Sequence, residues 1–282
     1  MSTVEKFLRG SIDMHIHPAP DPRVERSVDA LQVALQAQEA GMRAIVLKSH
    51  EYPTAPVAYI LRQIVDDITI FGSVCLDLEA GGLNTYALEA SAKLGAKIVW
   101  MPTFTSANDM KINGRGNGGI NLLDSKGKLV TAVDDILDIV KEYQMVLATG
   151  HISTAETFPL VQRAMEKGIS NVVITHPLWP RGGSGMDVSE QQRLAKEGAF
   201  IEHCFANTMP FPDRIHPMKM VEAIKAVGAE HCIMSTDFGQ VYNPAPAEGM
   251  RVGIATMLKC GLSESEMDLL VKVNPAKLLG LN

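Results

Sequence analysis

Two histidines stand one residue apart in DMHIHPAPDPR, residues 13 to 23. Residues two apart on an extended strand point to the same side, so His15 and His17 offer two imidazoles to one face. Such a pair suits a divalent metal, which usually takes three or four protein ligands. Other polar residues close other apolar runs: His151 ends ATGH, His176 stands in VITHP, and Asp237 ends MSTD. Any one of them alone reads as a loop residue or a satisfied core histidine. Five of them, closing apolar runs across the chain, read together as a metal site. The chemistry this donor set suggests is water activation, because a zinc-like ion lowers the pKa of bound water from 15.7 towards ~7.

Elements that could carry these residues are legible as apolar runs. Strands are expected at 11–17, 43–50, 68–77, 96–104, 145–151, 171–177, 198–205 and 231–237. Most are rich in Val and Ile and apolar on both faces, as buried parallel strands are. Amphipathic helical patterns lie between them, such as 28–41, which stops at Gly41. Capping boxes open two others, Ser153 with Glu156 and Ser263 with Glu266. Glu156 is accounted for by its cap and not by catalysis. Eight strands alternating with helices predict an α/β protein, a single-domain (β/α)8 TIM barrel over 1–282. A doubly wound open sheet is the runner-up, but no Gly-rich turn follows the first strand. Barrel chemistry sits at the C-terminal strand ends, which is where the five residues fall.

The chain of 282 residues is 46% hydrophobic and 21% charged, with a formal net charge of −6. That balance gives no electrostatic case for nucleic acid or an acidic membrane surface. No apolar run approaches the ~20 residues of a membrane span, and the N-terminus lacks a secretory signal pattern. Cys75, Cys204, Cys232 and Cys260 are widely spaced, with neither a disulfide framework nor a zinc spacing. Reduced thiols in a cytoplasmic protein are expected, with a small-molecule substrate and a homo-oligomeric assembly. The irregular stretch 105–130 is long for a βα loop. It contains GRGNGG, an anion cradle on one reading, and a small hairpin around Ser125 to Gly127. Its place after strand four makes it either a lid or a flexible, oligomer-contacting loop.

The set His-x-His, His, His and Asp on strands one, five, six and eight resembles the amidohydrolase superfamily. The closing VNPAKLLGL, residues 273–281, is similar to a terminal helix motif of that superfamily. GHISTAE, THP and KSHEYPT resemble an amidohydrolase-like branch of unassigned activity. The resemblance implies that His15, His17 and Asp237 are metal ligands, with His151 the next. It implies that His176 is a ligand of a second metal or a free acid/base and carbonyl polariser. Many binuclear members carry a carbamylated lysine or a glutamate at the end of strand four, where this chain reads WMPTF. One ion, most simply zinc, is therefore expected ahead of two. Lys48 ends strand two in VLKSH; it is read as carbamylated, as a cation on the substrate, or as a lysine reaching for water.

Arg23 falls near the place where related cyclic amidases hold an arginine that grips a substrate carboxylate, although the spacing is longer. A surface salt bridge is the alternative. His50 is expected to line the site, and Trp179 and Arg181 to contact substrate. Glu202 and His203 end strand seven as a functional or a structural pair. His216 and His231 receive no role. The expected reaction is metal-assisted hydrolysis of an amide, lactam or ester, with Asp237 passing the water proton to the leaving group. His176 and Lys48 would stabilise the oxyanion, and Asp13 would orient a ligand. A non-oxidative decarboxylase is the second reading and a non-catalytic metal-binding protein the third.

Overall fold

The computed structural model describes residues 2–210 and 214–281. Eight parallel strands follow one another around a single sheet: β1 (Ile12–Ile16), β2 (Ala44–Leu47), β3 (Thr69–Cys75), β4 (Ala96–Trp100), β5 (Val146–Ala148), β6 (Val172–Ile174), β7 (Phe200–Cys204) and β8 (Cys232–Ser235). Each pairs with its sequence neighbour, and the Ile16–Phe238 bridge joins the last strand to the first. The helices are α1 (Thr3–Leu8), α2 (Ala30–Glu39), α3 (Ala55–Leu61), α4 (Thr85–Lys93), α5 (Ala107–Ile112) and α6 (Thr131–Glu142). They continue as α7 (Thr154–Glu166), α8 (Val188–Lys196), α9 (Pro217–Val227), α10 (Pro246–Lys259), α11 (Glu264–Asp268) and α12 (Asn274–Leu279). This is a (β/α)8 barrel.

The period-2 alternation of the strands divides the core in two. Ile45, Leu47, Val99 and Leu147 join the large cluster between strands and helices. Ala44, Val46, Ile98, Trp100, Val146 and Ala148 form the smaller cluster within the barrel. Continued one step further, the inward series of β2 reaches Lys48. Asn274, at the start of α12, donates to the carbonyls of Ala229 and Cys232 and ties the terminal helix to the base of β8.

The strands end sooner than the apolar runs suggest. Only His15 of the five chemical residues lies within a strand; His17, His151, His176 and Asp237 follow strand ends. The 105–130 stretch is also more ordered than a long loop. Ser106 caps α5 by accepting from Asp109 N, and Leu123 bridges Leu129 in the expected hairpin. Both expected capping boxes form, and Glu156 Oε1 also accepts from Leu122 N, anchoring that hairpin. All four cysteines are free. Among the described residues no helix is long and apolar enough to cross a membrane.

Candidate metal centre and cavity

His15 and His17 face one side, with Nε2 atoms 3.2 Å apart. Asp237 reaches them from the other side of the barrel seam: its Oδ1 is 3.2 Å from His15 Nε2 and 3.1 Å from His17 Nε2. Backbone bonds hold this seam shut, Asp237 N to His15 O and His17 N to Phe238 O, both 2.8 Å. The chain bends sharply to do so. Asp237 has φ 56° and His176 φ 26°, conformations that cost a non-glycine residue energy and gather at functional sites. Gly239 follows, where a Cβ would lie 1.7 Å from His17 O.

Three acceptor-type atoms at 3.1–3.2 Å from one another, all buried, need protons or a cation between them. Their spacing and chemistry fit one divalent ion with N and O ligands. His15 is oriented for it from behind: Nδ1 donates to Glu202 Oε2 at 3.3 Å, which leaves Nε2 as the lone-pair side. Asp13, fully buried, accepts from Thr236 N and Oγ1 and from His15 N, fixing the backbone of β1 and β8 around the cluster.

His151 and His176 line the same cavity without joining this three-atom cluster. His151 Nδ1 donates to Asp109 Oδ2 at 2.6 Å. His50 also lines the cavity; its Nδ1 donates to Thr103 Oγ1 at 2.5 Å, and Thr103 in turn donates to Asp77. Lys48 Nζ donates to His15 Nε2 at 3.0 Å and lies 4.2 Å from the centroid of the Trp100 ring. The cavity has a volume of about 480 Å³, and Phe104, Trp179 and Tyr242 form its aromatic wall.

The remaining sequence candidates fall elsewhere. Arg23 is paired with Glu51 and Glu79, so its charge is already met by protein carboxylates, the salt-bridge alternative in geometric terms. Arg23 and Arg181 line a neighbouring cavity that shares Phe104 and Trp179 with the first. His203 lies beside Glu202 in β7 but does not line the cavity. His216 caps α9 by accepting from Met218 N, and His231 lies before β8, near Phe200. Asp109 was given no role by the sequence; only the Ser-x-x-Asp cap spacing around it was a signal.

Burial governs protonation here. It pushes Asp13, Glu202 and Asp237 up to about 7. It holds His15, His17 and His176 well below the usual imidazole range, and His50 and His151 at about 3. Burial alone would raise Asp77, but hydrogen bonds from His50, Thr103 and Thr105 outweigh it and hold the carboxyl below its usual range. The cavity therefore presents neutral imidazoles, the form that ligates metals.

A second cluster, His50, Cys75 and Asp77, also has ligand atoms close together. Asp77 is saturated by the backbone N–H and hydroxyl groups of Thr103 and Thr105, and burial pushes the Cys75 thiol up. That chemistry fits an anchor for the segment after β4, not an ion.

Residues 10–202 match the model of a family described as "Family of unknown function (DUF6282)". No curated protein sequence matches the chain. Solved structures share its architecture over nearly the whole length. An amidohydrolase from Pseudomonas aeruginosa aligns with a TM-score of 0.62 at 13% identity, covering 99% of this chain and 98% of that one. A probable dipeptidase from the same organism gives 0.66 at 12%, covering 98% and 96%. The 2,6-dihydroxybenzoate decarboxylase from Rhizobium gives 0.58 at 14%, covering 97% and 99%. At these identities the likeness establishes the barrel fold.

Proposed function

The chain belongs to the DUF6282 family, and we propose that its cavity is the active site of a metal-dependent hydrolase of small molecules, acting on an amide, lactam or ester carbonyl. The observation that carries this reading is the buried triangle of His15 Nε2, His17 Nε2 and Asp237 Oδ1 on an open cavity. His15, His17 and Asp237 would hold the ion, with His151 and His176 close by. One ion, zinc in first place, suits the cluster of His15, His17 and Asp237, the one that opens on the cavity through all three residues. When bound, it supplies Lewis-acid polarisation and a water acidified towards neutrality.

The protein groups do the rest. Asp237, which lines the cavity with its Oδ1 against both histidines, is the carboxylate placed to take a proton from water and hand it to the leaving group. His176 lines the cavity as a neutral imidazole and can donate to a developing oxyanion without carrying charge. Glu202 keeps the His15 ring turned, and Phe104, Trp179 and Tyr242 offer apolar surface to the body of a ligand.

The same constellation could remove CO₂ from a carboxylic acid, as the printed name of one fold neighbour says of that protein. One experiment separates the two. Chain purified without chelator is assayed for metal, then incubated with amide, lactone and carboxylic-acid panels in ¹⁸O-labelled water. Incorporation of one ¹⁸O into the acid product is the expected result. Release of CO₂ with no label in the organic product would replace hydrolysis by decarboxylation.

A further inference from the structure

We propose that the substrate of this site is a small organic anion, and that Lys48 pairs with its carboxylate beside the metal position. The inference rests on the metal-site reading above and adds the class of ligand.

Lys48 is 1% exposed yet lines the cavity. Alternation puts it there: Ala44 and Val46 belong to the cluster within the barrel, and Lys48 continues their side. Two cationic side chains line this cavity. Arg26 is doubly bonded to Asp21, Nε at 2.8 Å and one terminal nitrogen at 2.6 Å. Lys48 has no carboxylate partner among the described residues; its hydrogen-bond acceptor is His15 Nε2, and its other contact is the face of Trp100. Of the nearby acids, Asp237 Oδ1 meets both histidines and Glu202 Oε2 meets His15 Nδ1, while Glu202 Oε1 has no hydrogen-bond partner among the described residues; neither carboxylate forms an ion pair with Lys48.

One lone pair cannot serve two partners. When His15 Nε2 ligates an ion, Lys48 loses its acceptor and keeps only the indole face. A buried ammonium left that way is costly, and a divalent cation nearby adds repulsion. An anionic oxygen from the ligand removes both penalties, because it can face the ammonium and the ion at once. Carboxylate is the anion the rest of the cavity suits. The room is about 480 Å³, and Phe104, Trp179 and Tyr242 offer apolar ring surface to the body of the molecule. The class is thus a small carboxylic acid with a flat or apolar body.

The test reads binding, not turnover. Metal-loaded native chain, Lys48→Met and Lys48→Gln are checked for metal content and circular dichroism. Each is then titrated calorimetrically with benzoate and with its neutral isostere benzamide. A charge-assisted hydrogen bond implies that native chain prefers benzoate by about tenfold or more. That margin should shrink by about tenfold in Lys48→Met, with benzamide affinity and metal content unchanged; Lys48→Gln replaces it if Lys48→Met does not fold. Equal affinities in native chain, or no benzoate binding, would overturn the proposal. So would a margin undiminished by loss of the lysine, since the ion alone would then hold the anion. A chain that purifies without metal fails the earlier reading instead, and the two failures are distinct.

Discussion

Asp237 touches both histidines through one oxygen, so changing its charge should separate catalysis from architecture. An Asp237→Asn chain keeps the shape and much of the hydrogen bonding but loses the proton acceptor. We expect a folded protein with turnover reduced roughly 10²–10⁴-fold and a smaller loss of metal affinity than in His15→Ala. Turnover at the native rate would move the role of base to another group. Behind His15, Glu202 does not line the cavity and reaches it through the imidazole. Glu202→Gln should weaken metal binding about 10–100-fold, measured by competition with a chelator, while the circular dichroism spectrum stays native. Unchanged affinity would make Glu202 a bystander. The ligand pair and Asp237 were readable from spacing because a strand has a fixed side-chain period. The Glu202 pairing is not legible in sequence because its partner lies 187 residues away, and only barrel closure brings them together.

At the level of elements, the segment after β4 forms part of the cavity's surroundings in two ways. Asp77 of the β3 exit accepts from Thr103 and Thr105, and Asp109 of α5 holds both His151 and Arg115. Arg115 belongs to the exposed Gly-rich stretch and lies over Phe104, 5.5 Å from its centroid. A ligand against Phe104 should therefore slow movement of that stretch. Limited proteolysis is expected to cut within 113–119 in free chain and more slowly with benzoate bound; identical cleavage would rule out a lid. Gly150 marks another constraint, with φ 61° and a Cβ position 2.2 Å from Met101 O. Gly150→Ala should cost at least ~2 kcal/mol in urea unfolding, since both strain and overlap arise before His151. Strand order, helix caps and the hairpin were legible because periodicity and caps are local. Helix α5 was not: only six residues long, it is followed by glycines whose composition resembles a loop. Strand ends were overrun because the apolar pattern continues into residues that pack against the barrel mouth without pairing.

For the molecule as a whole, a cavity lined by neutral histidines has a cost in acid. Burial holds His50 and His151 at about 3 and His203 at about 4, against ~6.5 unfolded. Their contribution to stability is complete above the unfolded value and is lost as pH falls towards the folded ones. Asp13, Glu202 and Asp237, raised to about 7 by burial, run the opposite way, losing stability as pH rises through that value. With His15, His17 and His176 also depressed, the imidazoles outnumber the acids. The metal-free chain should melt at a lower temperature at pH 5 than at pH 7; a flat profile would contradict the burial argument. Adding an ion at about a thousand times its Kd should restore about 4 kcal/mol, and none of it in a His15→Ala/His17→Ala chain. The seam between β8 and β1 finally gives the site a place in time. During synthesis, His15 and His17 appear about 220 residues ahead of Asp237, a gap of roughly ten to forty seconds at ~5–20 residues per second. Through that interval a nascent chain lacks the one carboxylate of the three-atom cluster. On the proposed metal-site reading, secure capture of an ion waits on the arrival of the last strand, so a chain truncated before β8 should hold it less tightly than the full chain.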